Sequence, residues 1–260
     1  MKIVVCVKQV PDTWSEKRLD PADYTLDRAA AEGVIDELDT YAVEEALRIK
    51  ESTGEATVVV LTMGPAAAAD TLRKSLSMGA DEAVHIVDDA LHGSDALATS
   101  LVLAAALQHL GFDLVICGSE STDARMGALA AMLAERLDLP QATLAGKVEI
   151  SGTTLRVQRV TAAASYSVET ELPAVVSVLE KINEPRYPSF KGIMAAKSKP
   201  TTTLTLADLG IEPSLVGLAG ASTQVLSAAE RPARGERVLV KDDGTAAAQL
   251  ADFLVSRKLL

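Results

Sequence analysis

Lys2-Ile3-Val4-Val5-Cys6-Val7-Lys8 is the stretch on which the fold turns. Its apolar residues run without a polar break, so it lacks the in–out alternation of a half-exposed strand. Such a run, closed by a lysine, is a strand covered on both faces, and strands of this kind belong to parallel sheets flanked by helices. Working outward, the pattern recurs in Ala56-Thr57-Val58-Val59-Val60-Leu61, in Ala83-Val84-His85-Ile86-Val87 and in Leu114-Val115-Ile116-Cys117. Helical segments separate these runs. Residues 39–50 carry Ala42, Val43, Ala46, Leu47 and Ile49 on one face, behind Asp39 or Thr40 as cap. Residues 65–78 open on Pro65 and stop at Gly79. A third helix runs from a Ser94 cap to about Leu110 and ends at Gly111, and a fourth is predicted over 123–136. This order specifies an α/β fold with a doubly wound, mostly parallel sheet and right-handed crossovers. Such sheets take ligands at the carboxyl ends of their strands, where the strand order reverses.

Beyond Pro140 the character changes. Residues 148–150, 154–160 and the neighbourhood of Val168 read as strands, with Ser151-Gly152 as a hairpin turn. Ala174-Val175-Val176-Ser177-Val178, after Pro173, is another buried strand. These segments are expected to add antiparallel strands in an order the sequence leaves open. From Asn183 on, core-like runs are sparse and Pro185, Pro188, Pro200, Pro213 and Pro232 interrupt the chain. Only 246–254 reads as an amphipathic helix. A tail of this kind is either disordered or lies across another subunit, and its scattered leucines and valines favour the second. The expected organisation is an α/β domain over 1–182 and an extended C-terminal arm over 183–260.

Composition narrows the class. In 260 residues, hydrophobic types make up 48% and aromatics 3%, so the core must be aliphatic. Charged residues at 23% argue against global disorder, and the net charge of -11 is the wrong sign for a general nucleic-acid binder. No apolar run reaches the roughly 18–20 residues of a membrane span, so no direct membrane insertion is expected. The first residues have neither the length nor the cleavage site of a signal peptide, and a cytoplasmic protein is the expectation. Cys6 and Cys117 are far apart in sequence and form neither a disulfide framework nor a zinc motif.

Enzymatic motifs are missing. There is no GxGxxG after the first strand, no GxxxxGK[ST], no HExxH and no GxSxG. His85, His92 and His109 are scattered and read as surface or strand-end residues. One loop stands out: Gly118-Ser119-Glu120-Ser121-Thr122-Asp123-Ala124-Arg125-Met126-Gly127, between the fourth strand and its helix. Hydroxyls, glycines and a helix N-terminus can hold an anionic group, and Arg125 can add a bidentate contact. An ordinary capping loop with Asp123 as N-cap explains the same residues in part. A second signal is charge. Lys181, Arg186, Lys191, Lys197 and Lys199 face only Glu184 in this stretch, a basic patch suited to an acidic partner. Within it, Tyr187 and Phe190 are either exposed interface anchors or pack under their own loop.

Taken together these segments resemble the β subunit of bacterial electron transfer flavoproteins. The resemblance rests on Val7-Lys8-Gln9-Val10-Pro11-Asp12-Thr13, on Tyr41-Ala42-Val43-Glu44-Glu45-Ala46-Leu47, on Met63-Gly64-Pro65 and on Ser77-Met78-Gly79-Ala80-Asp81. Its most specific part is Asn183-Glu184-Pro185-Arg186-Tyr187 running into Ile193-Met194-Ala195-Ala196-Lys197. It spans essentially the whole chain in order.

The resemblance implies an adenine-nucleotide α-hydrolase-like fold in a heterodimer with an α subunit. It implies one FAD held mainly by that partner and one AMP bound structurally in this chain. Electrons would pass from flavin-dependent dehydrogenases, such as acyl-CoA dehydrogenases, toward a membrane quinone oxidoreductase, as in fatty acid β-oxidation. The chain would be a carrier subunit with no catalytic residues of its own. The AMP site would take in Cys6, Asp36, Glu37, Leu38, Asp39, Met63 and the loop Gly118, Ser119, Glu120, Ser121, Thr122, Asp123, Ala124, Arg125 and Met126. Asp36-Glu37 stands where the family often has Asn-Pro, and the loop is shorter than in the mammalian type. Thr13 would lie near the FAD, where some members have Tyr. Arg186, Tyr187, Phe190, Lys191, Ile193 and Met194 would recognise the dehydrogenase, with Phe190 where the family commonly has a Leu anchor. Two alternatives stand beside this reading. One is an electron-bifurcating member with a second FAD in place of AMP. The other is a stand-alone ATP- or AMP-binding α/β protein.

Overall fold

The structure is a computed structural model and describes residues 1–230, 232 and 238–260. Residues 1–225 form one compact unit and 226–260 another. The opening run is β1 (Lys2–Cys6). A short hairpin pairs β2 (Gln9–Pro11) with β3 (Gly33–Ile35), and the chain between them makes a small flap. Then come α1 (Glu37–Thr53), β4 (Thr57–Met63), α2 (Ala69–Met78), β5 (Glu82–Ile86), α3 (Ala96–Leu110), β6 (Leu114–Gly118) and α4 (Leu129–Leu137). The later elements are β7 (Gln141–Ser151), β8 (Thr154–Val160), β9 (Ser165–Glu171), β10 (Ala174–Val178), α5 (Phe190–Ala196), β11 (Thr201–Leu204), α6 (Gly217–Gly220) and α7 (Ala246–Ser256).

Among the described residues the main sheet has nine strands, in the order β11-β5-β4-β1-β6-β10-β7-β8-β9. It is parallel from β11 to β7 and antiparallel through β8 and β9. The chain forms the expected doubly wound sheet with antiparallel additions, but Ala174–Val178, expected among those additions, lies parallel between β6 and β7. The unbroken apolar runs occupy its middle because each face is covered. Ile3, Val5 and Val7 point into a core with Ala42, Ala46 and Leu47 of α1 and Leu72 and Leu76 of α2. Val4 and Cys6 point into the opposite core, with Val102 and Leu107 of α3 and Leu133 of α4. Each fully buried Val, Leu or Ile contributes about 1.5–3 kcal/mol relative to an exposed one.

Helix ends follow local chemistry. Asp36 caps α1, accepting from Leu38 N, and Gly54 closes it in the left-handed region at φ 76°. Asp95 caps α3 through Ala98 N; the expected cap, Ser94, instead donates its hydroxyl to Leu91 O. The helix predicted over 123–136 begins only at Leu129, and Asp123 caps nothing in it: its carboxylate is drawn to Lys8 at 2.6 Å. Part of the stretch beyond Asn183 joins the main unit, where β11 pairs with β5 and Leu204, Leu206 and Val216 are buried. In the second unit α7 leaves Leu250, Phe253 and Val255 exposed, with the Arg257 guanidinium 5.4 Å from the Phe253 ring centre.

Candidate functional site

The chain runs from β1 outward through β4 and β5 on one side and returns to place β6 on β1's other side. The strand order reverses between β1 and β6, and a crevice outside their carboxyl ends is the place where a doubly wound sheet accepts a ligand. The end of β1, the start of α1, the end of β6 and the 118–126 loop all converge there.

Two carboxylates at the head of α1 hold this corner. Asp36 is fully buried. Its Oδ1 accepts from Leu38 N at 3.0 Å, and its Oδ2 accepts from Thr122 N at 2.7 Å and Thr122 Oγ1 at 3.0 Å. Asp39 Oδ2 accepts from Lys8 N at 2.7 Å, and Asp39 Oδ1 from Gly118 N at 3.3 Å. Burial first, and the neighbouring Asp36 second, push the Asp39 carboxyl well above the usual carboxylate range; the N–H groups of Lys8 and Gly118 and the charge of Lys8 offset this in part. Both aspartates thus spend their acceptors on the protein's own donors and stitch the loop to α1 and β1.

Above them lies a cationic cluster. Lys8 Nζ donates to Asp123 Oδ1 at 2.6 Å and to Ser121 Oγ at 3.2 Å. Arg28, on a short turn of the flap capped by Asp27, sets Nη2 3.7 Å from Asp123 Oδ2 and donates from Nη1 to Gln9 O at 3.1 Å. Burial opposes ionisation of Asp123, but Lys8, by hydrogen bond and charge, with Ser121 and Arg28, holds its carboxyl below the ordinary range. Of the remaining loop residues, Ser119 and Glu120 are half-buried; Ala124, Arg125 and Met126 are exposed, with Arg125 at φ 50° and its guanidinium 3.9 Å from Glu120.

Cys6 and Cys117 end neighbouring strands on the same face of the sheet, both buried and both reduced. The hydrogen bond with Cys6, then burial, push the Cys117 thiol up, so Cys117 is not poised as a nucleophile. Met63 closes β4 half-buried on that face. Glu37 is exposed and Leu38 half-buried at the head of α1, and Thr13 is exposed in the flap beside Trp14, which is 95% exposed. Among the described residues no cluster of His, Cys, Asp or Glu can hold a metal ion, and no helix is long and apolar enough to cross a membrane.

The basic segment lies along the flank of α1. Arg186 forks onto Glu44, Nε to Oε2 at 2.8 Å and Nη2 to Oε1 at 2.9 Å, and its other donors reach Glu51. Asn183 Nδ2 donates to Tyr41 O at 3.0 Å and to Glu45 Oε2 at 2.9 Å. The tether leaves the next residues outside: Tyr187 is 93% and Phe190 80% exposed, and Lys191, Ile193 and Met194 on the same turn and helix are exposed too. Of these, Tyr187 and Lys191 line an open pocket of about 340 Å³ with Arg186, Ser189 and, from the end of α2, Ser77, Met78 and Gly79. Helix α5 can approach α2 because residue 192 is glycine, whose Cβ would lie 2.4 Å from Ser77 O. Arg186 therefore faces its own helix, while the aromatic and aliphatic side chains face solvent.

The sequence reading passed over Lys8, Arg28, Trp14 and the pair Glu44 and Glu45. A lysine closing the first strand is a usable signal for Lys8; for Arg28, which reaches the site only through the flap, no local signal exists.

The class is that of doubly wound α/β proteins with a polar, partly cationic crevice where the strand order reverses, the place at which such sheets accept ligands. Residues 23–209 match the family model described as the electron transfer flavoprotein domain. The chain is 51% identical over 263 aligned residues to the electron transfer flavoprotein subunit beta of Mycobacterium tuberculosis, covering 99% of each chain, and 49% identical to that of Mycobacterium leprae over the same share. It is 36% identical to the caffeyl-CoA reductase-Etf complex subunit CarD of Acetobacterium woodii, across 99% of this chain and 97% of the other. The chain belongs to the electron transfer flavoprotein family, among its β subunits.

Proposed function

We propose that this chain is the nucleotide-bearing, partner-docking half of a heterodimer that carries electrons from flavin-dependent dehydrogenases, such as acyl-CoA dehydrogenases, toward a membrane quinone oxidoreductase. The observation that carries the reading is the pairing of a crevice at the sheet's reversal point with an exposed aromatic platform tethered to the same helix, α1. A carrier needs a seat for a nucleotide and a surface for its donor, and it needs no acid–base pair of its own. That one relative is named as a subunit of a caffeyl-CoA reductase-Etf complex supports a partner that works on CoA thioesters.

AMP suits the crevice by charge: the part-exposed cations of Lys8 and Arg28 are complementary to a sugar phosphate. FAD, shared with the α subunit, supplies the one-electron chemistry when bound. This chain's exposed Thr13 is its contribution near that group. Asp36 and Asp39 keep the 118–126 loop in place, and Arg186 orients Tyr187 and Phe190 for docking.

Co-expression with the α subunit tests the reading. The expected product is a heterodimer with one FAD and one AMP per pair, reduced by an acyl-CoA dehydrogenase. Two flavins and no AMP would identify the bifurcating type instead. A stable, flavin-free monomer that hydrolyses ATP would overturn the carrier reading altogether.

A further inference from the structure

The loop leading into α3 grips a segment that lies more than a hundred residues later in the chain. Ser94 Oγ accepts from Gly217 N at 2.9 Å, and His92 O accepts from Leu218 N at 2.9 Å. Asp95 divides its carboxylate between two tasks. Its Oδ1 caps α3 by accepting from Ala98 N at 2.9 Å. Its Oδ2 accepts from Ser222 N at 2.8 Å, Thr223 N at 3.0 Å and Thr223 Oγ1 at 3.2 Å. Burial opposes ionisation of Asp95, but these donors hold its carboxyl below the ordinary range. The cap needs only the first oxygen. The donors on the second come from residues that bury nothing: Ser222 and Thr223 are exposed, as are Gln224 and Val225, with which the first unit ends. A charged acceptor is thus spent on fixing backbone that adds nothing to the core, at the point from which the second unit continues. That unit exposes Leu226, Leu239, Leu250 and Val255, apolar side chains of the kind a partner covers.

We propose that Asp95 is a positioning residue for subunit assembly: its second oxygen clasps Ser222 and Thr223 and fixes the root of the C-terminal arm. The proposal rests on the reading that this arm lies across the α subunit of the heterodimer. The first unit and the arm are then two joined contact surfaces, and the second to dock does so at an effective concentration set by the chain between them. A fixed root shortens that free chain and lowers the ordering cost of docking. Asp95 therefore raises the affinity for the α subunit through the arm.

The experiment compares wild type, Asp95→Ser and Thr223→Val as full-length chains, alone and co-expressed with the α subunit. Serine keeps an oxygen for the α3 cap and lacks the second; valine removes only the Thr223 hydroxyl. Amide exchange read by mass spectrometry reports on both tasks of Asp95. In Asp95→Ser the start of α3 should stay protected while peptides over 220–225 lose protection. The heterodimer dissociation constant, from sedimentation on dilution, should rise about tenfold in Asp95→Ser and about twofold in Thr223→Val. The flavin spectrum of the assembled pair should match wild type. An unchanged dissociation constant with an opened root overturns the proposal, as does a root that stays protected in Asp95→Ser. A constant that rises only together with lost protection in α3 also overturns it, leaving Asp95 a helix cap. Where Asp95→Ser does not accumulate, Thr223→Val decides by the same two readouts. Residues 246–256 of the wild type separate the two readings. If they gain no protection on assembly, the arm reading fails and the clasp's role with it. If they do, and Asp95→Ser assembles as tightly as wild type, the clasp alone fails.

Discussion

Gly118 N donates to Asp39 Oδ1 at 3.3 Å, and a Cβ on residue 118 would stand 2.7 Å from that oxygen and 3.1 Å from the Leu38 carbonyl carbon. The last residue of β6 and the first turn of α1 are therefore in direct contact, and only glycine permits it. This contact places the 118–126 loop within reach of Asp36 and Lys8. Gly118→Ala should force α1 and β6 apart and cost about 1–3 kcal/mol, as overpacking does. Urea unfolding of the heterodimer, with nucleotide content measured alongside, checks it; a variant of unchanged midpoint and full AMP content would show that the corner is not rigid.

Arg186→Ala should strand the carboxylate of Glu44, which is 5% exposed, without its partner. Losing one member of a fully buried pair costs about 3–5 kcal/mol. With the Arg186 side chain 35% exposed, water moderates this to about 2 kcal/mol. Arg186→Lys should recover little, because the fork onto Glu44 and Glu51 needs a planar guanidinium. Thermal melts of the three proteins give the order wild type, Lys, Ala. Docking to a dehydrogenase should weaken in the same order, since the tether holds Tyr187 and Phe190 in place.

Phe190→Ala removes an exposed ring, so chain stability should hardly change. As an interface anchor the ring would be worth about 2 kcal/mol, or about thirtyfold in dissociation constant. Electron transfer from an acyl-CoA dehydrogenase, followed at rising carrier concentration, should need more carrier for half-maximal rate. FAD and AMP content should match wild type. An unaltered concentration dependence would remove Phe190 from the docking surface.

The flap is latched to the main unit by His92 Nε2 and Asp23 Oδ2 at 2.8 Å, with Thr25 donating to Asp23 Oδ1. The hydrogen bond from His92, then those from Thr25, bring the Asp23 carboxyl down to about 2. Because the folded value is depressed, the contribution of this carboxylate is present above its unfolded value near 3.8 and is lost as pH falls through about 2. Carbon NMR of the Asp23 carboxyl should titrate near the lower value in the wild type and move toward the ordinary range in His92→Ala. Equal midpoints in the two proteins would show the latch is not made in solution.

By itself the sequence determined the layers and the family. Continuous apolar runs such as Ile3 to Val7 can be buried only in a sheet covered on both faces, and their alternation with helical segments leaves few ways to wind it. For Tyr187 and Phe190 the sequence left two arrangements open, exposed or packed under their own loop, and only the fold places both outside. The roles of individual charges were decided by tertiary structure. Asp123 looks like a helix cap in sequence, yet a lysine 115 positions away claims it, and α4 starts only at Leu129. Arg186 looks like part of a basic patch, yet Glu44 and Glu51, well over a hundred residues earlier, turn it onto α1. A hydrophobic period is a local property that burial enforces at every turn of the chain. A charge takes the partner that folding brings near, and that distance is known only once the sheet has closed.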